Sequence, residues 1–217
     1  MRGRIEALGQ ELGLVVDARQ VDALAAFLGL LQRWNATYNL TAVRDPEQML
    51  VQHLADCLAV VAPLQRQLAA SPQPRLLDVG SGGGLPGAVL AIMRPELDVT
   101  CVDAVGKKAA FVRQVAAELA LPNLRAEHAR VESLKLPPFD VIASRAFASL
   151  ADFVAASRAQ LAASGRWMAM KGKRPDAEMA VLPAQIEVFH VEPVFVPGLE
   201  AERCLIWMRP QQVRAHN

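Results

Sequence analysis

The spacing of apolar residues predicts helices in the first 64 residues of the chain. Asp17 and Gln20 have the spacing of an N-cap and its reciprocal partner, and apolar side chains follow at helical intervals from Val21 to Leu31. This helix is expected to reach residues 33–35 and then to give way to a polar loop over residues 36–41.

A second helix start lies at Asp45–Pro46, where a capping residue precedes a proline suited to the first turn. The apolar face that follows places His53 and Asp56 three positions apart, where their side chains can interact. They are expected either to pin this helix to a loop or to act at a substrate. Prolines between residues 63 and 74 then predict a break in the chain.

From Arg75 onward, short apolar runs alternate with helical segments. The predicted strands are 75–79, 98–103, 124–128, 139–143, 166–170, 186–195 and 203–208, and the predicted helices are 85–93, 107–119, 151–161 and 176–182. This alternation predicts an α/β fold with a mostly parallel seven-stranded sheet, helices on both faces and an antiparallel last strand. Residues 1–65 are predicted to form a helical extension and residues 75–210 the sheet domain, together one compact unit.

Residues 75–87 carry the most informative motif, a buried strand followed by a glycine-rich turn and the start of a helix. This arrangement is typical of nucleotide sites, where backbone N–H groups meet a ligand at the carboxyl edge of a sheet. Gly82, Gly84 and Gly87 satisfy the G-x-G-x-x-G pattern of dinucleotide sites, which alone is weak evidence.

An acid in the same motif favours another ligand. Asp78, two residues before Gly80, gives a pattern that resembles motif I of class I S-adenosylmethionine (AdoMet) methyltransferases. A carboxylate suits the ammonium and sulfonium groups of AdoMet, whereas it would repel a pyrophosphate. AdoMet is therefore the favoured ligand, a dinucleotide is the second candidate, and a glycine turn without a ligand is the remaining alternative.

Further candidate contacts follow the later strands. Asp103 ends the second strand about 20 residues after the turn, where an acid can bind ribose hydroxyls or cap the next helix. Val131 and Glu132 follow the third strand, where class I enzymes hold adenine, or they form part of a solvated turn. Arg145 follows the fourth strand and is expected at the mouth of the ligand cleft, in contact with cofactor or substrate.

The segment after the fourth strand limits the chemistry. It lacks the Pro-Pro-aromatic motif of enzymes that methylate exocyclic amino groups, and it has no cysteine to serve as the thiolate of cytosine C5 methylation. An acceptor with its own lone pair, such as guanine N7, needs no general base. Placing N7 in line with the methyl group can lower the barrier by roughly 7–11 kcal/mol. The sequence identifies no acid–base catalyst. Arg145 is the candidate for a catalytic residue that contacts the reacting groups.

Composition narrows the class of protein further. The 217 residues are 53% hydrophobic and carry a net charge of +1. No apolar run approaches the ~20 residues of a membrane span, and the N-terminus lacks a signal-peptide pattern. Three scattered cysteines without ligand spacing predict neither disulfides nor a metal site. A cytoplasmic location is expected.

Basic residues are expected to form an RNA-binding rim, with a solvated surface as the alternative. Phosphate contacts of this kind are sensitive to salt and independent of sequence. Trp34, Tyr38 and Phe147 could stack on an exposed base, although core packing is the alternative for them. The candidate RNA-binding residues are Arg33, Arg44, His53, Lys107, Lys171, Lys173 and Arg174.

The chain resembles one family over nearly its whole length. The resemblance combines an N-terminal Trp-Asn…Asn-Leu-Thr stretch with the Leu-Pro-Gly end of the glycine turn, a combination that no generic methyltransferase is expected to carry. This family is the bacterial RsmG (GidB) family of 16S ribosomal RNA guanine-N7 methyltransferases. The matching residues are 33–35, 39–44, His53, Asp56, 77–87, Lys107, Lys108, Phe111, 144–146 and 171–173.

The resemblance implies methyl transfer from AdoMet to N7 of a guanosine near the decoding region of 16S rRNA. Small departures from the family pattern at Cys57, Ala104 and Val131 leave this activity credible. The expected partner is 16S rRNA or the small ribosomal subunit, with no membrane, no stable protein partner and a monomeric state. The cofactor contacts expected from motif and resemblance together are Asp78, Gly80, Gly82, Leu85, Asp103, Val131, Glu132 and Arg145.

Two other functions compete with this one. The first is methylation of a small molecule, against which the chain shows no insertion long enough to form a lid. The second is a catalytically inactive fold that binds ribosomal RNA as an assembly factor. Asp78, Asp103 and the intact glycine turn argue against an inactive site.

Overall fold

The computed structural model describes residues 1–68, 73–145 and 147–211, and its centre is a seven-stranded sheet with the order β3-β2-β1-β4-β5-β7-β6. Residues 69–72 of the predicted break and Ala146 of the Ser-Arg-Ala match lie outside the described residues. The strands are β1 Arg75–Val79, β2 Asp98–Asp103, β3 Leu124–His128, β4 Phe139–Ser144, β5 Leu161–Lys171, β6 Ile186–Pro193 and β7 Cys204–Pro210.

The direction of the strands confirms the predicted α/β sheet. Strands β1 to β5 pair in parallel, whereas β7 runs antiparallel to both of its neighbours, β5 and β6. Because β6 and β7 follow one another without a helical crossover, an antiparallel pair is the expected result. In the register of this edge, Cys204 pairs with both Lys171 and Pro193. The loop between β6 and β7 therefore lies at the carboxyl edge of the parallel strands.

Helices cover both faces of the sheet. Along β1, Leu76 belongs to the core that contains the N-terminal helices, and Leu77 belongs to the core on the other face, as strand alternation requires. Within the described ranges no helix is both long enough and apolar enough to cross a bilayer. The helices are α1 Arg2–Glu11, α2 Ala18–Tyr38, α3 Pro46–Met49, a π-helical turn Leu50–Ala55, α4 Asp56–Leu58, α5 Val61–Leu68, α6 Gly87–Met93, α7 Gly106–Glu118, α8 Leu150–Ser157 and α9 Asp176–Ala180, with 3₁₀ turns at Val131–Ser133 and Arg158–Gln160.

The predicted helix starts are confirmed in atomic detail. The Gln20 N–H donates to Asp17 Oδ1 at 2.8 Å, and the Asp17 N–H donates to Gln20 Oε1 at 3.0 Å, which completes the capping box. At the start of α3, the Gln48 N–H donates to Asp45 Oδ1 at 2.9 Å.

Several predicted boundaries are wrong by a few residues. Helix α2 continues to Tyr38 and ends where Asn39 adopts a left-handed conformation with φ of 50°. Helix α5 runs through Pro63, which its first turn tolerates because the N–H that proline lacks has no partner there. Helix α6 begins at Gly87, so Pro86 is its N-cap and not its first residue. The division into residues 1–65 and 75–210 stays a prediction.

Candidate active site

The glycine turn after β1 is held from beneath by Asp78. This side chain is fully buried, and its Oδ2 accepts a hydrogen bond of 2.8 Å from the Gly87 N–H. A Cβ at Gly87 would lie 2.5 Å from Cys101 Sγ and 2.9 Å from Asp78 Oδ2, so the close approach requires glycine. Burial raises the pKa of Asp78 to about 7. The carboxylate thus lies under the turn, whereas the motif predicts a direct contact with a ligand in the cleft.

Asp103, the last residue of β2, joins the glycine turn to the loop before α7. Its Oδ2 accepts from the Gly82 N–H at 3.0 Å and its Oδ1 accepts from the Val105 N–H at 2.9 Å. The N-cap of α7 is Val105, so the alternative that Asp103 caps this helix is wrong. Asp103 is 7% exposed, and each carboxylate oxygen retains capacity to accept another hydrogen bond.

A cavity of about 160 Å³ opens beside Asp103 and is called the first cavity below. It brings together four of the predicted cofactor contacts, which are Gly80, Asp103, Val131 and Glu132. The same wall includes apolar atoms of Val102 and Phe147. Leu85, by contrast, is buried in the core that contains the N-terminal helices.

Arg145 lies at the end of β4, against the π-helical turn. Its Nη1 donates to the Gln52 carbonyl oxygen at 3.1 Å and lies 3.4 Å from His53 Nδ1 and 3.5 Å from Asp56 Oδ2. The predicted interaction between His53 and Asp56 takes another form, because both side chains approach Arg145. One guanidinium thus connects the sheet edge to the N-terminal helical part.

His53 is buried and linked to the loop after α2. Its Nε2 lies 2.7 Å from Thr41 Oγ1, and burial together with Arg145 lowers the pKa of His53 to about 4. The neutral ring can therefore donate from Nε2 to Thr41 and accept from Arg145 at Nδ1. Asn35 fixes the loop itself, since its Oδ1 accepts from the Thr41 N–H at 2.8 Å and its Nδ2 donates to the Val43 carbonyl at 2.9 Å. With 5% of its surface exposed, His53 has little area to offer to RNA.

Sequence reasoning missed Arg203, which completes this site. Its Nε donates to Asp56 Oδ1 at 2.9 Å, so two guanidinium groups share a carboxylate whose side chain is only 4% exposed. These residues surround a cavity of about 310 Å³, called the second cavity below, whose wall also contains Gln52, Met170, Lys171 and Gly172. The available signal was the position of Arg203 directly before a strand that pairs with the end of β5.

The predicted RNA-binding residues differ in whether their charged groups already have a partner in the protein. Lys171 Nζ donates to both carboxylate oxygens of Glu178, at 2.9 Å and 3.0 Å, and Lys171 forms part of the wall of the second cavity. Lys173 is exposed after β5, and Arg174 beside it pairs with Asp176 at 2.7 Å. The exposed candidates on the N-terminal side and on α7 are Arg33, Arg44 and Lys107.

The three aromatic residues predicted to stack on a base lie in different environments, some in the core and some at the site. Trp34 packs against Tyr38 and Phe111, with ring centroids 4.9 Å and 5.5 Å away, which is the core-packing alternative. Tyr38 remains 44% exposed. Phe147 lies on the wall of the first cavity.

The residues fit AdoMet on two observations. Asp78 Oδ1 has no hydrogen-bond partner among the described residues, so the turn covers an acid that suits a cationic ligand and disfavours a pyrophosphate. The first cavity also combines apolar walls with the Asp103 carboxylate, as an adenosine group requires.

The reversed last strand, the glycine turn and Asp103 together define a class I AdoMet-dependent methyltransferase fold. The same fold occurs in the N-methyltransferase NodS from Bradyrhizobium japonicum in complex with S-adenosylhomocysteine, at a TM-score of 0.57 and 11% identity, covering 83% of this chain and 100% of that one. A SAM-dependent methyltransferase from Aquifex aeolicus matches at a TM-score of 0.56 and 16% identity, covering 76% of this chain and 93% of that one.

Sequence comparison is more specific. The profile of the family described as rRNA small subunit methyltransferase G (GidB) matches residues 20–206, and the chain belongs to this family. It is 61% identical to the ribosomal RNA small subunit methyltransferase G of Leptothrix cholodnii over 98% of this chain and 97% of that protein. The protein of the same name from Bordetella avium is 56% identical over 96% of this chain and 93% of its own length. The chain is thus an AdoMet-dependent methyltransferase, and the resemblance found in its motifs is confirmed.

Proposed function

We propose that the protein transfers the methyl group of AdoMet to N7 of a guanosine in 16S rRNA, acting on the small ribosomal subunit as a cytoplasmic monomer. The name of its relatives supports ribosomal RNA of the small subunit as the substrate. The observation that carries the choice of N7 is the second cavity, whose described lining offers hydrogen-bond donors and no free general base.

Two groups in that cavity could in principle accept a proton. Asp56 is already held by Arg145 and Arg203. His53 has a pKa lowered to about 4, and its Nδ1 faces Arg145. Guanine N7 has its own lone pair and loses no proton, so it suits this cavity. Catalysis then rests on placing N7 in line with the methyl group, for which proximity can supply roughly 7–11 kcal/mol.

AdoMet supplies the methyl group as an electrophile. Gly80, Asp103, Val131 and Glu132 would hold its adenosine part in the first cavity, with Asp103 accepting hydrogen bonds from the ribose. Asp78 would act from under the turn by keeping the glycine backbone in place. Arg145 would face AdoMet from the end of β4, between the two cavities.

The exposed basic residues would bind phosphates of the RNA. Such contacts position the substrate without reading its sequence. Arg33, Arg44, Lys107, Lys173 and Arg174 would form this rim, whereas His53 and Lys171 would act inside the site.

The test of the function is transfer of labelled methyl from AdoMet to small ribosomal subunits that lack the modification, followed by nucleoside analysis of the digested RNA. We expect the label in 7-methylguanosine. Label in another nucleoside would keep the fold and overturn the acceptor atom. Binding of AdoMet without transfer to RNA would favour a small-molecule substrate, and no binding of AdoMet would favour an inactive RNA-binding protein.

The proposed cofactor site has its own test. Asp103→Asn should weaken AdoMet binding about 10- to 100-fold, because hydrogen bonds to a charged acceptor are lost. Asp98→Asn is the matched control, since Asp98 begins the same strand at the opposite edge and binds Arg125. Equal AdoMet affinity of the two variants by calorimetry would remove Asp103 from the site.

A further inference from the structure

We propose that Arg203 binds O6 of the acceptor base in the second cavity and thereby selects guanine over adenine. This inference rests on the proposed function and adds a specificity residue to it. Three observations support it. They are the position of Arg203 in the sheet, the hydrogen bonds that hold its guanidinium group, and the hydrogen bonds that guanine can accept.

The sheet order places Arg203 on the acceptor side of the site. The glycine turn follows β1, Arg145 follows β4, and Arg203 precedes β7, in the spatial order β1-β4-β5-β7. Neighbouring strands lie about 4.8 Å apart, so β7 is roughly 10 Å beyond β4 in the direction away from the first cavity. A ligand that bridges Arg145 and Arg203 therefore lies over β4 and β5, next to the cofactor and not in its pocket.

Hydrogen bonds hold two nitrogens of the Arg203 guanidinium group, and the third nitrogen has no acceptor among the described residues. Its Nε donates to Asp56 Oδ1 at 2.9 Å and its Nη1 donates to the Glu202 carbonyl oxygen at 2.9 Å. Its Nη2 donates to no residue that the structure describes, and the side chain is 26% exposed. The residue lines the second cavity and also a neighbouring cavity of about 430 Å³ on the side of β6. Lys171, another cation in this wall, is engaged by Glu178. Arg203 therefore presents an oriented donor to a base in the cavity.

The reaction restricts how an arginine can bind this base. The usual contact of arginine with guanine uses both O6 and N7 as acceptors. Methylation requires the N7 lone pair to face the methyl group, so O6 is the acceptor that remains on this edge. Adenine carries an amino group at the same position, and two donors would then face each other without an acceptor. A donor from Arg203 at this point favours guanine.

The experiment compares three bases at the target position of otherwise identical small-subunit substrates. Guanosine and inosine both carry O6 and N7, whereas 2-aminopurine riboside keeps N7 and lacks O6. We expect wild-type kcat/KM to be similar for guanosine and inosine and about 5- to 150-fold lower for 2-aminopurine, the range of a good base contact.

Two variants connect this discrimination to Arg203. Arg203→Lys keeps a cation near Asp56 but lacks the rigid fork that donates to two partners at once, so the ratio between guanosine and 2-aminopurine should fall toward one. Arg209→Lys is the matched control on the same strand, because Arg209 pairs with Glu187 at 2.8 Å outside the cavity. It should keep the wild-type ratio, and AdoMet affinity should be unchanged in both variants.

The outcomes separate this inference from the proposed function. Wild-type enzyme that methylates 2-aminopurine as well as guanosine would keep the function and overturn the O6 contact. So would an Arg203→Lys variant with full discrimination, or a 2-aminopurine substrate that is methylated better than inosine, which would point to the 2-amino group. Absence of 7-methylguanosine from the guanosine substrate would overturn the proposed function itself.

Discussion

The two cavities at the carboxyl edge hold their acidic residues by different means. In the first cavity, Asp103 accepts hydrogen bonds from the backbone N–H groups of Gly82 and Val105, and its contact with the Lys108 side chain is a longer ion pair of 3.9 Å. In the second cavity, Asp56 is held by the side chains of Arg145 and Arg203. The acid of the first cavity is thus held by donors of adjacent turns, whereas the acid of the second is held by side chains that follow β4 and precede β7. The second cavity therefore depends on packing between the sheet edge and the N-terminal helical part.

Each cavity also has a buried titratable group behind it. Burial raises the pKa of Asp78 under the glycine turn and lowers the pKa of His53 beside Arg145. In both cases burial disfavours the charged form. Because one group is an acid and the other a base, their effects on the free energy of unfolding must depend on pH in opposite directions.

The largest expected effect concerns Asp78→Asn. Between its ordinary pKa of 3.8 and about 7, native Asp78 holds a proton that the unfolded chain has released, so this group makes stability fall as pH rises. The asparagine variant lacks this loss of stability with rising pH. Its free energy of unfolding relative to wild type should therefore increase by up to about 4 kcal/mol from acid to neutral pH.

Urea denaturation at pH 4.5 and pH 8 measures this difference in the protein without AdoMet. Asp140→Asn is a matched control, because Asp140 accepts from the Arg75 N–H at the opposite edge of the sheet. A difference between Asp78→Asn and wild type that stays constant with pH would contradict the raised pKa of Asp78.

The second prediction concerns His53→Gln and has the opposite sign. Between pH 6.5 and about 4, the unfolded chain binds a proton that native His53 does not, so wild-type stability falls as the pH is lowered. Without this group, the stability of the variant relative to wild type should rise by about 3 kcal/mol over the same fall in pH. Denaturation at pH 4 and pH 7.5 tests it, with His128→Gln as the exposed control. A relative stability that falls toward acid pH would contradict the prediction.

The difference between the cavities also explains which of them the sequence predicts. The first cavity is formed by short segments that each follow a strand, so the glycine pattern and the spacing to Asp103 identify it. The motif predicts Asp78 as a cofactor contact, and this stays a prediction. Strand alternation turns the residue to the face of Leu76, where α6 packs and where its carboxylate accepts from the Gly87 N–H. A motif identifies the right turn without revealing on which face each side chain lies.

The second cavity depends on contacts between distant parts of the chain. Arg203 lies 147 positions from Asp56, and Arg145 lies 93 positions from Gln52. No periodicity connects such residues, and Arg203, the first residue of a predicted strand, gives no sign of its partner before the strand order is known. His53 was within reach of sequence reasoning, but its link to Thr41 depends on the loop that Asn35 fixes.

The smallest expected effect lies outside both cavities, on the basic rim. Lys173 is exposed and has no ion pair among the described residues, so Lys173→Ala should remove one phosphate contact and leave AdoMet affinity unchanged. The slope of log affinity for RNA against log salt should become shallower by about 0.7–0.9, and affinity should fall a few-fold at low salt. Arg125→Ala removes an exposed cation from β3, where it binds Asp98, and serves as the control. If both variants change the slope equally, the charge of the protein as a whole and not the rim attracts the RNA.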